Sequence, residues 1–402
     1  MPRKPMSGAR ISALMQEMSV SSLLRVIPYS MIEEALTETG TQSKRKRLLP
    51  ASVVLLLVVM LGLNAEVSVR ENLRMLLHSL RVRFGMDRIA VAGSAAISFA
   101  RRRLGVKPLA WLFDRVARPL TPTGCAGCTW KGLRPVAIDG TYVEAQCTEK
   151  NCEHFGRPGN QHGKGGYPQV LVVTLIECAT RTPFGFVYGP CRKDEPTLGD
   201  ELSAKLQADM LLLADRAYFS FARWRDASER CGALLWRVKS NVKLKPVSSF
   251  DDGSYLAVIK PSHKLIAKGF ATRGEHMTVR VVEYRPVMAD RRRGEKVRLI
   301  TDVLDPSQVT AEELAAMYPQ RWAVEVGFDE LKTHLRGPVR VLRAQLPELV
   351  EQEIHGFFLA YYVTRATMAE AARVAGRPPS ELSFTHAVRV IRRHTSLFPS
   401  PS

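Results

Sequence analysis

Between residues 132 and 238, apolar runs too short for helices alternate with stretches of helical spacing. Such a succession restricts the chain to folds in which helices cover a sheet. The first apolar run is Val136–Ile138, within GLRPVAIDGTYVEA, and Asp139-Gly140 marks its expected end. YPQVLVVTLIE (Tyr167–Glu177) and FGFVYG (Phe184–Gly189) read as two further strands, and the Cys178–Pro183 connection is short enough for an antiparallel hairpin. EPTLGDELSAKLQA then has helical spacing. MLLLAD (Met210–Asp215) is an apolar run that also ends in Asp. FSFARWRDASERCG reads as a helix that stops at Gly232, and ALLWRVK as a strand.

Three strands, a helix, a strand, a helix and a strand make up an α/β domain of ribonuclease-H-like order, a mixed sheet with flanking helices. DDGSYLAVIK, HMTVRVVEYRP and EKVRLITDVL alternate polar and apolar residues, so a β-rich insertion is expected before the last long helical stretch. Thr310-Ala311-Glu312-Glu313 has the form of a capping box opening that stretch. Upstream, apolar residues recur at three-to-four spacing with Arg and Glu between them, as in ENLRMLLHSLRVRFG. The expected division is a helical N-terminal domain (1–118), a first part of the core (119–242), the β-rich insertion (243–300), and a second part of the core with C-terminal helices (301–402).

Lys and Arg number 58 against 39 Asp and Glu, a formal net charge of +19. Runs of base stand at Lys44–Arg47, Arg101–Arg103 and Arg291–Arg293. A broad positive field attracts polyanions, of which nucleic acid is the commonest. The apolar segment Leu48–Leu63 is shorter than the roughly 20 residues of a membrane span, and it contains Pro50, Ser52 and Gly62. It reads as a buried core helix. The N-terminus is basic without an apolar signal core, so a cytoplasmic, nucleoid-associated protein with no membrane partner is expected. Seven Cys in a chain of this size imply reduced thiols. Cys125, Cys128, Cys147 and Cys152, with His154 nearby, suggest zinc only loosely, because the second pair lacks CxxC spacing.

Asp139 and Asp215 each follow an apolar run, where an ionised carboxylate is costly unless it meets water or a cation. Two such strand ends side by side suit an oxygen-ligated divalent ion, Mg²⁺ or Mn²⁺; two turn carboxylates are the plain alternative. In YPQRWAVEVGFDELK, a regular helix would bring Arg321, Glu325 and Lys332 to one face, with Tyr318 one turn earlier. Glu325 could close a metal site while Arg321 and Lys332 hold phosphate oxygens. The plain alternative is an Arg321–Glu325 pair on a solvated face.

Tyr318-x2-Arg321-x3-Glu325-x6-Lys332 resembles the Y-R-E-K signature of the bacterial insertion-sequence DDE transposases of the IS-four family. Ile138-Asp139-Gly140-Thr141 resembles that family's first-Asp motif. Asp215-Arg216-Ala217-Tyr218 is similar to its second, with Ala where Gly is usual. The resemblance implies cut-and-paste movement of an insertion sequence by DNA cleavage and strand transfer. It also implies that Asp139, Asp215 and Glu325 surround two Mg²⁺ or Mn²⁺ ions, and that Tyr318, Arg321 and Lys332 hold DNA phosphates. The implied partners are double-stranded DNA, as element ends and target, and a second copy of the chain on paired ends. A nuclease without transposition, or a relative that only binds DNA, remains the alternative. No aromatic of the insertion (Phe250, Tyr255, Phe270, Tyr284) takes a base-holding role by motif, and Trp236 reads as core.

Overall fold

The structure is a computed structural model, and it describes residues 23–45, 48–84, 91–121, 128–159, 166–286, 294–338 and 340–396. Ten strands form one sheet: β1 (Arg134–Ala145), β2 (Gln169–Glu177), β3 (Thr182–Pro190), β4 (Met210–Ala214), β5 (Ala233–Arg237), β6 (Pro246–Ser249), β7 (Tyr255–Ile259), β8 (Met277–Tyr284), β9 (Val297–Thr301) and β10 (Val341–Leu342). Their order is β3-β2-β1-β4-β5-β9-β8-β7-β6, with β10 beside β1. The pairs β1–β4 and β4–β5 are parallel, while β1–β2, β2–β3 and every pair from β5 to β6 are antiparallel. This is the ribonuclease-H-like mixed sheet. The insertion strands do not form a layer of their own: β9 pairs with β5 and carries the same sheet outward.

β1 differs from expectation. It does not end at Asp139 but runs on to Ala145, because β2 stays paired with it as far as Glu144 opposite Gln169. On its other edge β4 pairs only from Arg134 to Ala137, and β10 joins only at Glu144 and Ala145. Between these contacts no strand covers that edge of β1 among the described residues. The sheet therefore has a notch, and Asp139 lies in it.

Alternation along β1 sends Val136 and Ile138 to one face and Ala137 to the other. The first face packs against Trp224 and Phe221 of a helix at Phe221–Arg230, with Trp236 beneath, 2% exposed and 5.2 Å from the Trp224 ring. The second packs against Leu314, Tyr318, Val324 and Phe328 of the late helical run.

The N-terminal helices α1 (Tyr29–Glu38), α2 (Ala51–Leu63), α3 (Val69–Phe84), α4 (Ser94–Leu104) and α5 (Lys107–Val116) share one apolar core with the long C-terminal helix Pro347–Ala375 and the far end of β1. Every residue of α2 is buried, as a core helix requires. No helix among the described residues is long and apolar enough to cross a membrane. The Arg101–Arg103 run is engaged within the fold. Arg101 donates to Gln352 Oε1 at 3.2 Å and the Leu349 carbonyl at 3.0 Å, Arg102 pairs with Glu348 at 3.3 Å, and Arg103 donates to the Leu49 carbonyl at 2.9 Å. Of the other basic runs, Lys46, Arg47 and Arg291–Arg293 lie outside the described residues.

Candidate active site

Asp139 sits on β1 facing the late helical run, and its Oδ1 accepts the Gly140 N–H at 2.9 Å. Asp139 and Asp215 each lie two residues past the last β1–β4 partners, Ala137 and Leu213, and the charge of Asp215 acts on Asp139. Asp215 follows β4 in a tight turn: its Oδ1 accepts the Ala217 N–H at 2.7 Å, and its carbonyl accepts the Tyr218 N–H at 3.3 Å. Local turn chemistry thus fixes the second carboxylate at the end of β4.

The third acid comes from a helical run that changes pitch twice. The expected capping box forms: the Thr310 side chain accepts from Glu313 N–H at 3.2 Å and Glu313 reaches back to Thr310 N–H at 2.9 Å. A helix over Ala311–Met317 tightens to a 3₁₀ turn at Tyr318–Trp322, where Pro319 lacks an N–H. A regular helix resumes at Ala323–Asp329 and widens to a π-type turn at Glu330–Leu335. Straight-helix geometry therefore does not govern which residues meet. Arg321 and Glu325 do share a face, and Arg321 Nη2 bonds Glu325 Oε1 at 2.7 Å. The same guanidinium sends Nη1 to Asp139 Oδ2 at 3.0 Å, so the helical pair is tied into the notch rather than left on a solvated face. The wide turn directs Lys332 elsewhere, to the Thr141 hydroxyl further along β1. Tyr318 is the most enclosed of the six residues at 6% exposed, with its hydroxyl 3.4 Å from the Ala214 carbonyl, just before Asp215.

Close packing brings this helix onto the sheet. A Cβ on Gly327 would lie 2.8 Å from Ile176 Cδ1 and 3.2 Å from the Tyr361 hydroxyl. Glycine is needed there for the approach. Next to it, the buried carboxylate of Glu330 bonds Arg181 from the β2–β3 turn at 3.0 Å, the Tyr361 hydroxyl at 2.8 Å, and Arg365. These contacts lock the helix to both the sheet and the long C-terminal helix.

Burial pushes the Asp139 carboxyl up to about 6, with the neighbouring charges of Glu195 and Asp215 adding to the rise and Arg321 and the Gly140 N–H opposing it. Burial also lowers the Lys332 ammonium, and Arg336 lowers it further. Glu195 was not foreseen from the sequence. It stands on the face of β1 opposite the late helical run, where its Oε1 accepts the Tyr218 hydroxyl at 2.9 Å. In the sequence it follows Asp194, which caps the turn by accepting the Thr197 N–H at 3.1 Å, and it reads as an ordinary first-turn acid. Only an adjacent-face contact could have marked it.

Among the described residues no three His, Cys, Asp or Glu side chains form a ready metal cage. Arg321 instead serves Asp139 and Glu325 together as counter-ion. The donor set still fits a hard divalent cation: it is all carboxylate, partly buried, and carries more negative charge than Arg321 and Lys332 balance. No zinc cluster is found among the described residues. Cys125 lies outside them, and Cys147 and Cys152 accept from Arg157 Nη2 at 2.9 and 3.2 Å. His154 pairs with Glu351 at 3.3 Å.

Residues 17–114 match the family described as insertion element 4 transposase N-terminal, and residues 130–363, more than half the chain, match the transposase DDE domain. The chain belongs to the IS4-type DDE transposases. It is 27% identical over 378 residues to the transposase InsG for insertion sequence element IS4 of Escherichia coli (strain K12), covering 93% of this chain and 82% of that one. It is 29% identical over 196 residues to a probable transposase for insertion sequence element IS5377 of Geobacillus stearothermophilus, 48% of each chain. A solved piggyBac transposase synaptic complex with hairpin DNA aligns at a TM-score of 0.44 and 12% identity, over 98% of this chain and 74% of that one. The protein is thus a transposase, an enzyme of DNA cleavage and transfer, and the DDE domain implies dependence on a divalent metal.

Proposed function

We propose that Asp139, Asp215 and Glu325 are the catalytic carboxylates of this transposase and hold two Mg²⁺ or Mn²⁺ ions in the notch of the sheet. The observation that carries this reading is the single Arg321 guanidinium bonded at once to Asp139 and Glu325, acids far apart in the chain, with the charge of Asp215 also acting on Asp139. When bound, the metal supplies activation of water or a DNA 3′-hydroxyl and stabilisation of the leaving oxygen. Arg321 is poised to exchange its carboxylate partners for phosphate oxygens, to which its planar fork is matched. Lys332, held by Thr141, offers a second cationic contact, and the Tyr318 hydroxyl a third, more enclosed one. Together these three would fix the scissile phosphate against the acids.

In this reading the substrates are double-stranded element ends and target DNA, cut and joined by a homodimer on paired ends in the cytoplasm, at the nucleoid. Residues 1–118 form the DNA-gripping helical part, 119–242 and 301–402 the core, and 243–300 its insertion. Asp215→Asn and Glu325→Gln proteins should bind end DNA yet fail to nick it with either Mg²⁺ or Mn²⁺. Nicking retained at the wild-type rate by either variant would reject the assignment. Strand transfer of a precut end into plasmid separates transposition from simple nuclease action.

A further inference from the structure

We infer that Glu195 is a fourth carboxylate of the cation site, reaching it from the face of the sheet opposite the catalytic helix. The inference rests on the proposed metal reading of Asp139, Asp215 and Glu325.

Three contacts carry it. First, Glu195 is pressed onto the residue after Asp139: a Cβ built on Gly140 would lie 2.4 Å from Glu195 Cδ and 2.6 Å from its Oε2. Gly140 thus leaves room for this carboxylate, which a side chain at that position would push aside. Second, Glu195 Oε1 is fixed by the hydroxyl of Tyr218, which is 3% exposed and follows Asp215 in the same turn. The two motifs that hold the Asp residues therefore converge on one glutamate: the glycine of the first clears its path and the tyrosine of the second clamps it. Third, the notch makes contact across the sheet possible. Asp139 and Gly140 point to opposite faces, and a complete sheet would separate their neighbours. Here β4 has already ended and β10 has not yet joined, so the uncovered edge of β1 lets groups on both faces meet. The charges of Glu195 and Asp215 both act on Asp139, as this geometry requires.

A second observation makes this more than a gathering of acids. Arg321 is 8% exposed and is directed into the same notch, and its Nε has no partner among the described residues. An unused donor on this buried guanidinium calls for an acceptor, so a phosphate oxygen fits beside the cation that the acids would hold. With the Tyr218 hydroxyl on Oε1 and the Gly140 N–H also acting on the carboxylate, Glu195 keeps lone-pair capacity for a cation. A purely structural helix-capping role does not account for the close fit to Gly140, since Asp194 already caps that turn.

The test uses the full chain and Mn²⁺ alone, read by the loss of free-ion electron paramagnetic resonance signal. Glu195→Gln keeps the size of the side chain and its acceptor for Tyr218. It should weaken Mn²⁺ binding by about tenfold or more, and its melting temperature in EDTA should stay near that of wild type. Tyr218→Phe, which frees the carboxylate without removing it, should weaken binding less. Glu201→Gln, on the exposed side of the same segment, should change nothing. Asp139→Asn is measured in parallel. If Asp139→Asn loses Mn²⁺ and Glu195→Gln binds as wild type, Glu195 is no ligand and the inference falls alone. If neither variant alters Mn²⁺ binding, the three-acid reading falls and takes this inference with it.

Discussion

Replacing Asp139 by Asn should abolish DNA cleavage and yet make the metal-free protein more stable. Burial, aided by Glu195 and Asp215, raises the Asp139 carboxyl from 3.8 to about 6. The side chain is 19% exposed, so solvent screens little of this effect. Two pK units correspond to about 3 kcal/mol against the charged form. The sign follows from proton binding. Between pH 3.8 and about 6 the folded protein keeps a proton that the unfolded chain has released, so stability falls as pH rises through that window. Below it both states are protonated and the penalty is absent; above it the penalty is complete. Asn carries no charge at any pH and retains an oxygen for the Gly140 N–H and Arg321. The variant should therefore exceed wild type by up to about 3 kcal/mol near pH 8, with the excess fading towards pH 4. Urea unfolding of both proteins in EDTA, at several pH values across that range, measures the difference. Adding Mg²⁺ should stabilise wild type more than the variant, because only a state that binds the ion gains from it. A stability difference that is flat with pH would refute the claim that burial outweighs the Arg321 counter-ion at Asp139.

Three more perturbations probe other parts of the framework. Lys332→Ala should weaken DNA binding with little change in melting temperature and lower the salt slope of binding by about one; an unchanged slope would remove Lys332 from the phosphate contacts. Glu330→Ala strands Arg365 and Arg181 in a buried network and should cost about 3–5 kcal/mol of stability in urea unfolding. His355, buried against Phe186 and Tyr188, has its imidazole pushed down to about 4 by burial, the Glu351 carbonyl opposing. Stability present above pH 6.5 should drain away as pH falls from there towards 4, by about 3 kcal/mol from this group. Unfolding of His355→Leu followed over the same pH range should lack that component.

Much of the framework could be read from the chain by itself. The succession of strands along the chain follows from apolar runs and turn residues, and the capping box at Thr310 and the burial of the Ala51–Leu63 helix follow from local pattern. These features depend on neighbours a few residues away, which is the range over which spacing carries information. The Tyr318, Arg321, Glu325 and Lys332 spacing likewise pointed to one site, although the pitch changes at Pro319 and Glu330 redirect Lys332 to Thr141. What only the tertiary structure decided is which groups meet from different strands and faces. The continuation of β1 past Asp139 depends on its partner β2 and not on its own residues. The notch exists because β4 stops and β10 starts at different levels. Through it Glu195, which reads as an ordinary first-turn acid, comes against Gly140, and Arg321 links Asp139 to Glu325. Electrostatic coupling acts through space, whereas periodicity acts along the chain, so the three acids were legible one by one, their grouping only through the family resemblance, and the approach of Glu195 not at all.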